Sequence, residues 1–253
     1  MYYYIAEPTT TNIERKKIEE IQSILSQLGI AGEFAVASPA RSVEEHLELA
    51  FRKGFTTIVG IGSDALANQV ASSIFREGYD TAVLGFIPLR PRQALWNMIG
   101  TTTIREACQQ LRTRFVVSID ALQIDATHTL ITDAVIQLPA PVRFLLHYRG
   151  STIQGQLTDA TISHNGTITL TDTTYRPKPQ GRSLLERIFG GRKQAIELAS
   201  TSVQASRWQL ETETPCSITV DGSVVATTPL DATTRPKALK LITVRDKVAK
   251  EKE

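Results

Sequence analysis

Apolar residues near the amino end form an unbroken run over positions 2–6. They then recur at Ile13, Ile18, Ile21, Ile24, Leu25 and Leu28, close to helical spacing, up to Gly29. The first pattern predicts a strand and the second a helix that buries one face. Positions 33–37 read as another short strand. Ser42-Val43-Glu44-Glu45 has the Ser-x-x-Glu form of a capping box, so a helix is expected through Ala50, with Gly54 ending it. Positions 56–61 are a continuous β-branched run, the signature of a strand buried on both faces; 65–75 return to helical spacing and 81–87 supply another such strand. Strands and helices alternating in this way predict a parallel α/β sheet, which gathers ligands at the carboxyl ends of its strands.

The rhythm changes near position 115. Apolar runs at 115–119, 129–138, 142–148 and 153–162 are short and separated by turn residues, and helical spacing largely disappears. Asn165-Gly166 and Asp221-Gly222 each lie between two alternating runs, which predicts two tight β-hairpins. The expected organisation is an α/β domain over 1–112, an antiparallel β-sandwich over 113–244 with a hinge near 100–115, and a charged, solvated tail over 245–253. A chain of 253 residues is long enough for two such cores.

Composition narrows the function classes. With 42% hydrophobic and 21% charged residues the chain is ordinary for a globular protein, and no segment reaches the roughly 20 apolar residues of a spanning helix. A net charge of +2 is too small for a nucleic-acid-binding surface. The amino end lacks a basic region followed by a long apolar stretch, so cytoplasmic residence is the expectation. Cys108 and Cys216 are far apart and the four histidines are scattered, so neither set predicts a metal site; the histidines read as surface or strand residues and Cys108 as a small buried hydrophobe. One basic cluster stands out at 182–193. There Leu184, Leu185, Ile188 and Phe189 share a helical face beside Arg182, Arg187, Arg192 and Lys193, a pattern suited to docking on an anionic membrane surface or to packing on the chain's own β domain.

Candidate chemistry centres on the turn after the 56–61 strand, written Gly62-Ser63-Asp64-Ala65-Leu66 and followed by Asn68-Gln69-Val70. This stretch resembles the diacylglycerol-kinase and related lipid-kinase catalytic domain. In that family an apolar strand enters a Gly-Gly-Asp-Gly-Thr loop and a helix carrying Asn-Glu-Val follows; Gly62, Asp64, Asn68 and Val70 match, whereas Ser63, Ala65 and Leu66 do not. Pro88-Leu89 resembles the strand end that precedes the family's Gly-Thr-Gly-Asn loop, here written Arg90-Pro91-Arg92-Gln93. Asp120 stands where the family often has an Asp in the first strand after the hinge. The resemblance implies a nucleotide-binding α/β domain joined to a β-sandwich, with ATP and Mg as cofactors and Gly62, Ser63, Asp64, Asn68, Arg90 and Arg92 at the nucleotide or another anionic small molecule.

Phosphoryl transfer requires backbone amides around the phosphates, a neutralising metal and a base for the attacking hydroxyl. Ser63 and Ala65 replace glycines whose freedom at positive φ shapes such a cradle, and Asp221-Gly222-Ser223 stands where the family's Asp-Gly-Glu turn supplies the general base. Asp221 is therefore either a substitute base or simply the first residue of a hairpin turn. Asp64 is either the surviving catalytic carboxylate or a helix cap. Arg90 and Arg92 either fill the phosphate position, hold an anionic ligand, or form a solvated rim. The reading that follows is a catalytically degenerate lipid-kinase-like protein that binds a nucleotide, a phosphorylated metabolite or a lipid between its domains. The alternatives are an active lipid kinase built on Asp64 and rearranged loops, and an interaction module with no ligand.

Overall fold

The computed structural model describes residues 1–125, 127–172 and 199–244. The basic segment 182–193 and the tail 245–253 lie outside the described residues. The chain opens with β1 (Tyr2–Ala6), α1 (Asn12–Gln27), β2 (Glu33–Val36), α2 (Val43–Arg52), β3 (Thr57–Gly62), α3 (Asp64–Glu77) and β4 (Val83–Pro88). The four strands pair in parallel in the order β2-β1-β3-β4. Every residue of β3 and β4 is buried, as their β-branched runs require of central strands covered on both faces.

Local chemistry sets the helix limits. The Ser42 hydroxyl accepts from Glu45 N–H while the Glu45 carboxylate accepts from Ser42 N–H, the reciprocal capping box read from the sequence. The same device starts α5 (Ile104–Thr113), with Thr103 and Glu106 as its pair. Gly78 and Gly100 close α3 and α4 (Ala94–Ile99) in left-handed conformations that cost a glycine nothing.

Beyond α5 the chain is antiparallel: β5 (Val116–Ile124), β6 (His128–Leu130), β7 (Ala134–Tyr148), β8 (Ser151–Ile162), β9 (Thr167–Asp172), β10 (Ala199–Gln204), β11 (Arg207–Thr212), β12 (Ser217–Val220), β13 (Ser223–Thr227) and β14 (Leu230–Ile242). Both expected hairpins form, at Asn165-Gly166 between β8 and β9 and at Asp221-Gly222 between β12 and β13. The strand limits between 129 and 148 depart from the sequence pattern. The run 129–138 is broken after β6, and the part from Ala134 onward joins 142–148 in one 15-residue strand, whose register on β8 shifts between Gln137 and Val142. Leu138-Pro139-Ala140-Pro141 sits in that irregularity, where prolines, which lack an N–H, forfeit no ladder bond.

The parallel and antiparallel regions are joined by strand pairing. β14 begins against β11 (Leu230 opposite Leu210) and ends in parallel with β4 (Lys240 opposite Val83, Leu241 opposite Leu84). β5 follows β14 along most of its length, with a register shift between Arg235 and Leu239. Two apolar cores result. One surrounds β1, β3, β4 and their helices, including Leu239, Leu241 and Ile242 of β14; the other fills the antiparallel region around Trp208, Leu146 and Ile218. The carboxyl end of β3, the head of α3 and the β12–β13 hairpin meet where the two regions face each other.

Candidate functional site

Helix α3 starts one residue after β3 ends, so no extended loop separates them. Ser63 is the helix cap, with its Oγ accepting from Leu66 N–H at 3.2 Å and donating to Glu7 Oε1. The capping role considered for Asp64 therefore belongs to Ser63, because the helix begins at Asp64 itself. Asp64 instead points across to a second helix. Its Oδ2 accepts from Ala94 N–H at 2.7 Å and its Oδ1 from Leu95 N–H at 3.1 Å, so the carboxylate caps α4. The side of the residue left for solvent is small, at 5% exposure. Burial pushes the Asp64 carboxyl above its ordinary pKa, and the Asp221 and Asp133 carboxylates push the same way against the two backbone donors.

The head of α3 is closed by the antiparallel region. Asp64 N–H donates to Asp221 Oδ2 at 2.8 Å. Asp221 and Gly222 have φ of 50° and 78°, the left-handed pair of a two-residue hairpin turn, so the turn geometry presents the Asp221 carboxylate to the helix. A helix N-terminus carries partial positive charge and free amides that suit a phosphate. Here Asp221 and Ser63 take the Asp64 and Leu66 amides, and Glu7 stands on the Ser63 hydroxyl.

Asn68 and Ser72, one helical turn apart on α3, bind the β6 segment. Asn68 Oδ1 accepts from Ile131 N–H at 2.8 Å and Thr132 N–H at 3.1 Å, and its amide donates to Thr132 Oγ1 at 2.8 Å. Ser72 Oγ accepts from Thr129 N–H and donates to Thr129 C=O. The Asn68 side chain, assigned to a nucleotide by resemblance, is thus committed to holding the two regions together. Ser72 was missed by the sequence reading, although an Asn and a Ser four apart amid the buried Leu66, Ala67, Val70, Ala71 and Ile74 are an available signal.

The two arginines do not fill the cleft. Arg90 turns outward to Glu14 of α1 at 3.4 Å, and Arg92, at φ 64°, is exposed. Gln93 occupies the interior of the turn instead, donating to Gly62 C=O at 3.2 Å and accepting from Arg90 N–H at 3.0 Å. The histidine reading also changes at one position. His46 is buried on α2, with its ring nitrogens facing Tyr3 Oη and Val36 C=O.

A cavity of about 620 Å³ lies between α3, the segment after β1, β6 and the start of β13. Val43, Leu66, Val224 and Val225 supply apolar wall, and Glu7, Glu44, Gln69, Arg76, His128 and Ser223 supply polar groups. Val224 is 62% exposed there. Burial pushes the Glu44 carboxyl up, but its own helix N–H, hydrogen bonds from Ser42 and Gln69 and the Arg76 guanidinium together hold it below the ordinary carboxylate range. Asp120, by contrast, uses its carboxylate on Lys237 N–H at the β14 irregularity.

Mg·ATP does not fit the residues at the head of α3. Its phosphates would need the amides that Asp221 and Ser63 occupy, and both Asp64 oxygens are already bound to α4. No group of three or more His, Cys, Asp or Glu side chains suited to a metal ion occurs among the described residues.

No protein-family model and no curated protein matches the sequence. Solved structures do match in fold. A candidate diacylglycerol kinase from Bacillus anthracis aligns with 97% of each chain at 12% identity and a TM-score of 0.73. A diacylglycerol kinase from the same organism aligns with 97% of each chain at 13% identity and a TM-score of 0.68. Yeast NADH kinase, solved with NADH, aligns over 97% of this chain and 84% of its own at 8% identity and a TM-score of 0.53. The parallel α/β region followed by antiparallel strands is accordingly the fold of the diacylglycerol kinases and NAD kinases.

Proposed function

We propose that this protein is a catalytically degenerate relative of the diacylglycerol kinases that binds a ligand in the cavity between its two regions and transfers no phosphate. The observation that carries the reading is the Asp221 carboxylate on the Asp64 amide, which places a fixed negative charge at the helix terminus a phosphate would need. Glu7 and Asp64 add further carboxylates nearby, and Ser223 offers no base at its ordinary pKa. The cavity itself combines aliphatic wall with hydroxyl and carboxylate groups, and its guanidinium, Arg76, lies near the Glu44 carboxylate, which suits a ligand with hydroxyls and an apolar body, such as a nucleoside or a lipid alcohol.

The test is direct. Purified protein with Mg·ATP and a dispersed diacylglycerol is expected to transfer no phosphate above background, and titration calorimetry with Mg·ATP to show weaker binding than with adenosine. Phosphate transfer abolished by Asp64→Asn would overturn the proposal in favour of an active kinase.

A further inference from the structure

The turn between β4 and α4 holds its arginines outward. Its backbone is satisfied from within, because Arg90 N–H donates to Gln93 Oε1 at 3.0 Å and Arg90 C=O accepts from the Trp96 indole N–H at 2.8 Å. Arg92 has φ of 64°, a left-handed conformation that disfavours any residue with a Cβ, so a long cationic side chain is kept where glycine fits more easily. Arg90, Pro91 and Arg92 are all exposed. The start of α1 lies alongside this turn. Lys17 Nζ donates to Leu89 C=O at 2.7 Å and Glu14 pairs with Arg90 at 3.4 Å. Ile13, one helical turn before Lys17, therefore stands at the edge of the same surface, at 70% exposure.

A single exposed aliphatic side chain is ordinary on a globular protein. Here Ile13, Pro91 and the partly exposed Trp96 stand among Lys17, Arg90 and Arg92, and the acid between them, Glu14, has only 17% of its side chain exposed. The stretches outside the described residues do not reverse this sign, since 173–198 carries six basic residues against two acidic and 245–253 four against three. Guanidinium and ammonium groups around a small apolar protrusion complement an anionic bilayer, where the cations meet lipid phosphates and the aliphatic and indole groups enter the interface. We propose that this face, formed by the start of α1 and the β4–α4 turn, docks on an anionic lipid bilayer. Pro8, between β1 and α1, lines the cavity beside α3, so docking sets the mouth of that cavity near the lipid. The surface itself does not depend on what the cavity holds.

The test is co-sedimentation of the full chain with vesicles of phosphatidylserine mixed into phosphatidylcholine, against vesicles of phosphatidylcholine alone. Binding is expected only to the anionic vesicles and should fall as salt is added, because the attraction is screened. Ile13→Glu places an acid in the first turn of a helix, where it does not harm folding, and is expected to weaken binding roughly tenfold, as is Arg92→Glu. Arg92→Gly separates docking from structure: it relieves the left-handed φ, so Tm should hold or rise while binding weakens several-fold. A lowered Tm with unchanged binding would make Arg92 a structural residue and overturn the proposal. Binding that Ile13→Glu and Arg92→Glu both leave unchanged would also overturn it, assigning attachment to another part of the chain such as the basic stretch 182–193. So would equal binding to both kinds of vesicle, or binding to neither. Phosphate transfer and adenosine titration, which test the cavity, do not enter these readouts.

Discussion

The Asp64 amide and the Asp221 carboxylate are 157 positions apart in the chain and 2.8 Å apart in space. Through this contact a hairpin of the antiparallel region caps a helix of the parallel one, and the same helix sends the Asp64 carboxylate onward to cap α4. The three elements are linked in series, so a change at the hairpin is felt at the head of both helices.

Asp221→Ala is expected to destabilise the protein by about 1–3 kcal/mol, since it removes a charged cap and places alanine at a left-handed φ. Asp221→Asn keeps an acceptor and a residue that tolerates that φ, and should lose less than half as much. Urea unfolding measures both. Equal losses from the two variants would show that neither the acceptor nor the tolerance of that φ matters and that the carboxylate's charge alone carries the contact.

Asn68→Ala is expected to cost about 2–4 kcal/mol, because it leaves the Ile131 and Thr132 amides without their acceptor at a buried interface. Asn68→Asp retains that acceptor and loses the donor to Thr132, so at low pH, where the buried carboxyl is protonated and carries no charge, it should be the milder change. Unfolding curves that rank the two in the opposite order would contradict the assignment of Asn68 as an interface clasp.

Much of the architecture was legible because it is written locally. The Ser42 and Glu45 capping box, the buried runs of β3 and β4 and the two hairpin turns each depend on residues within a few positions of one another. The site was less legible because its determinants are long-range. Asp221-Gly222 announces a turn, but nothing nearby says that the Asp221 carboxylate will meet the Asp64 amide. The direction of Arg90 depends on Glu14 of α1, and its absence from the cleft on Gln93 reaching Gly62, neither of which the motif contains.

Gly166 should be the least replaceable of the hairpin glycines. It has φ of 84°, and an added Cβ would lie 2.2 Å from Thr234 Oγ1 and 2.6 Å from Ala205 C=O. The Gly166 C=O also accepts from the buried Trp208 indole N–H at 3.1 Å, so the turn cannot shift without breaking that bond. Gly166→Ala is expected to cost about 2–4 kcal/mol or to prevent folding, whereas Gly222→Ala, with open space around the added carbon, should cost about 1 kcal/mol. Thermal unfolding of the pair separates the two effects, and similar losses would remove close approach as the reason for glycine at 166.

The pH dependence of stability tests the environment assigned to Asp64. Its folded pKa is raised above the ordinary 3.8, so between the two values the native state holds a proton that the unfolded chain has released. The contribution of this group to stability therefore rises as pH falls through the folded pKa, is complete below about 3.8, and is lost as pH rises again. Other carboxylates titrate over the same range, which is why the comparison must be made with a variant that cannot titrate here. Asp64→Asn serves, and the stability of the wild type relative to this variant is expected to increase as pH is lowered from about 7 to about 4. Asp221→Asn removes one of the charges that raise the pKa, so in that background the increase should be smaller. If the wild-type advantage instead shrank on acidification, the two α4 amides would outweigh burial and the neighbouring carboxylates, and Asp64 would be an ordinary helix-capping anion with a depressed pKa.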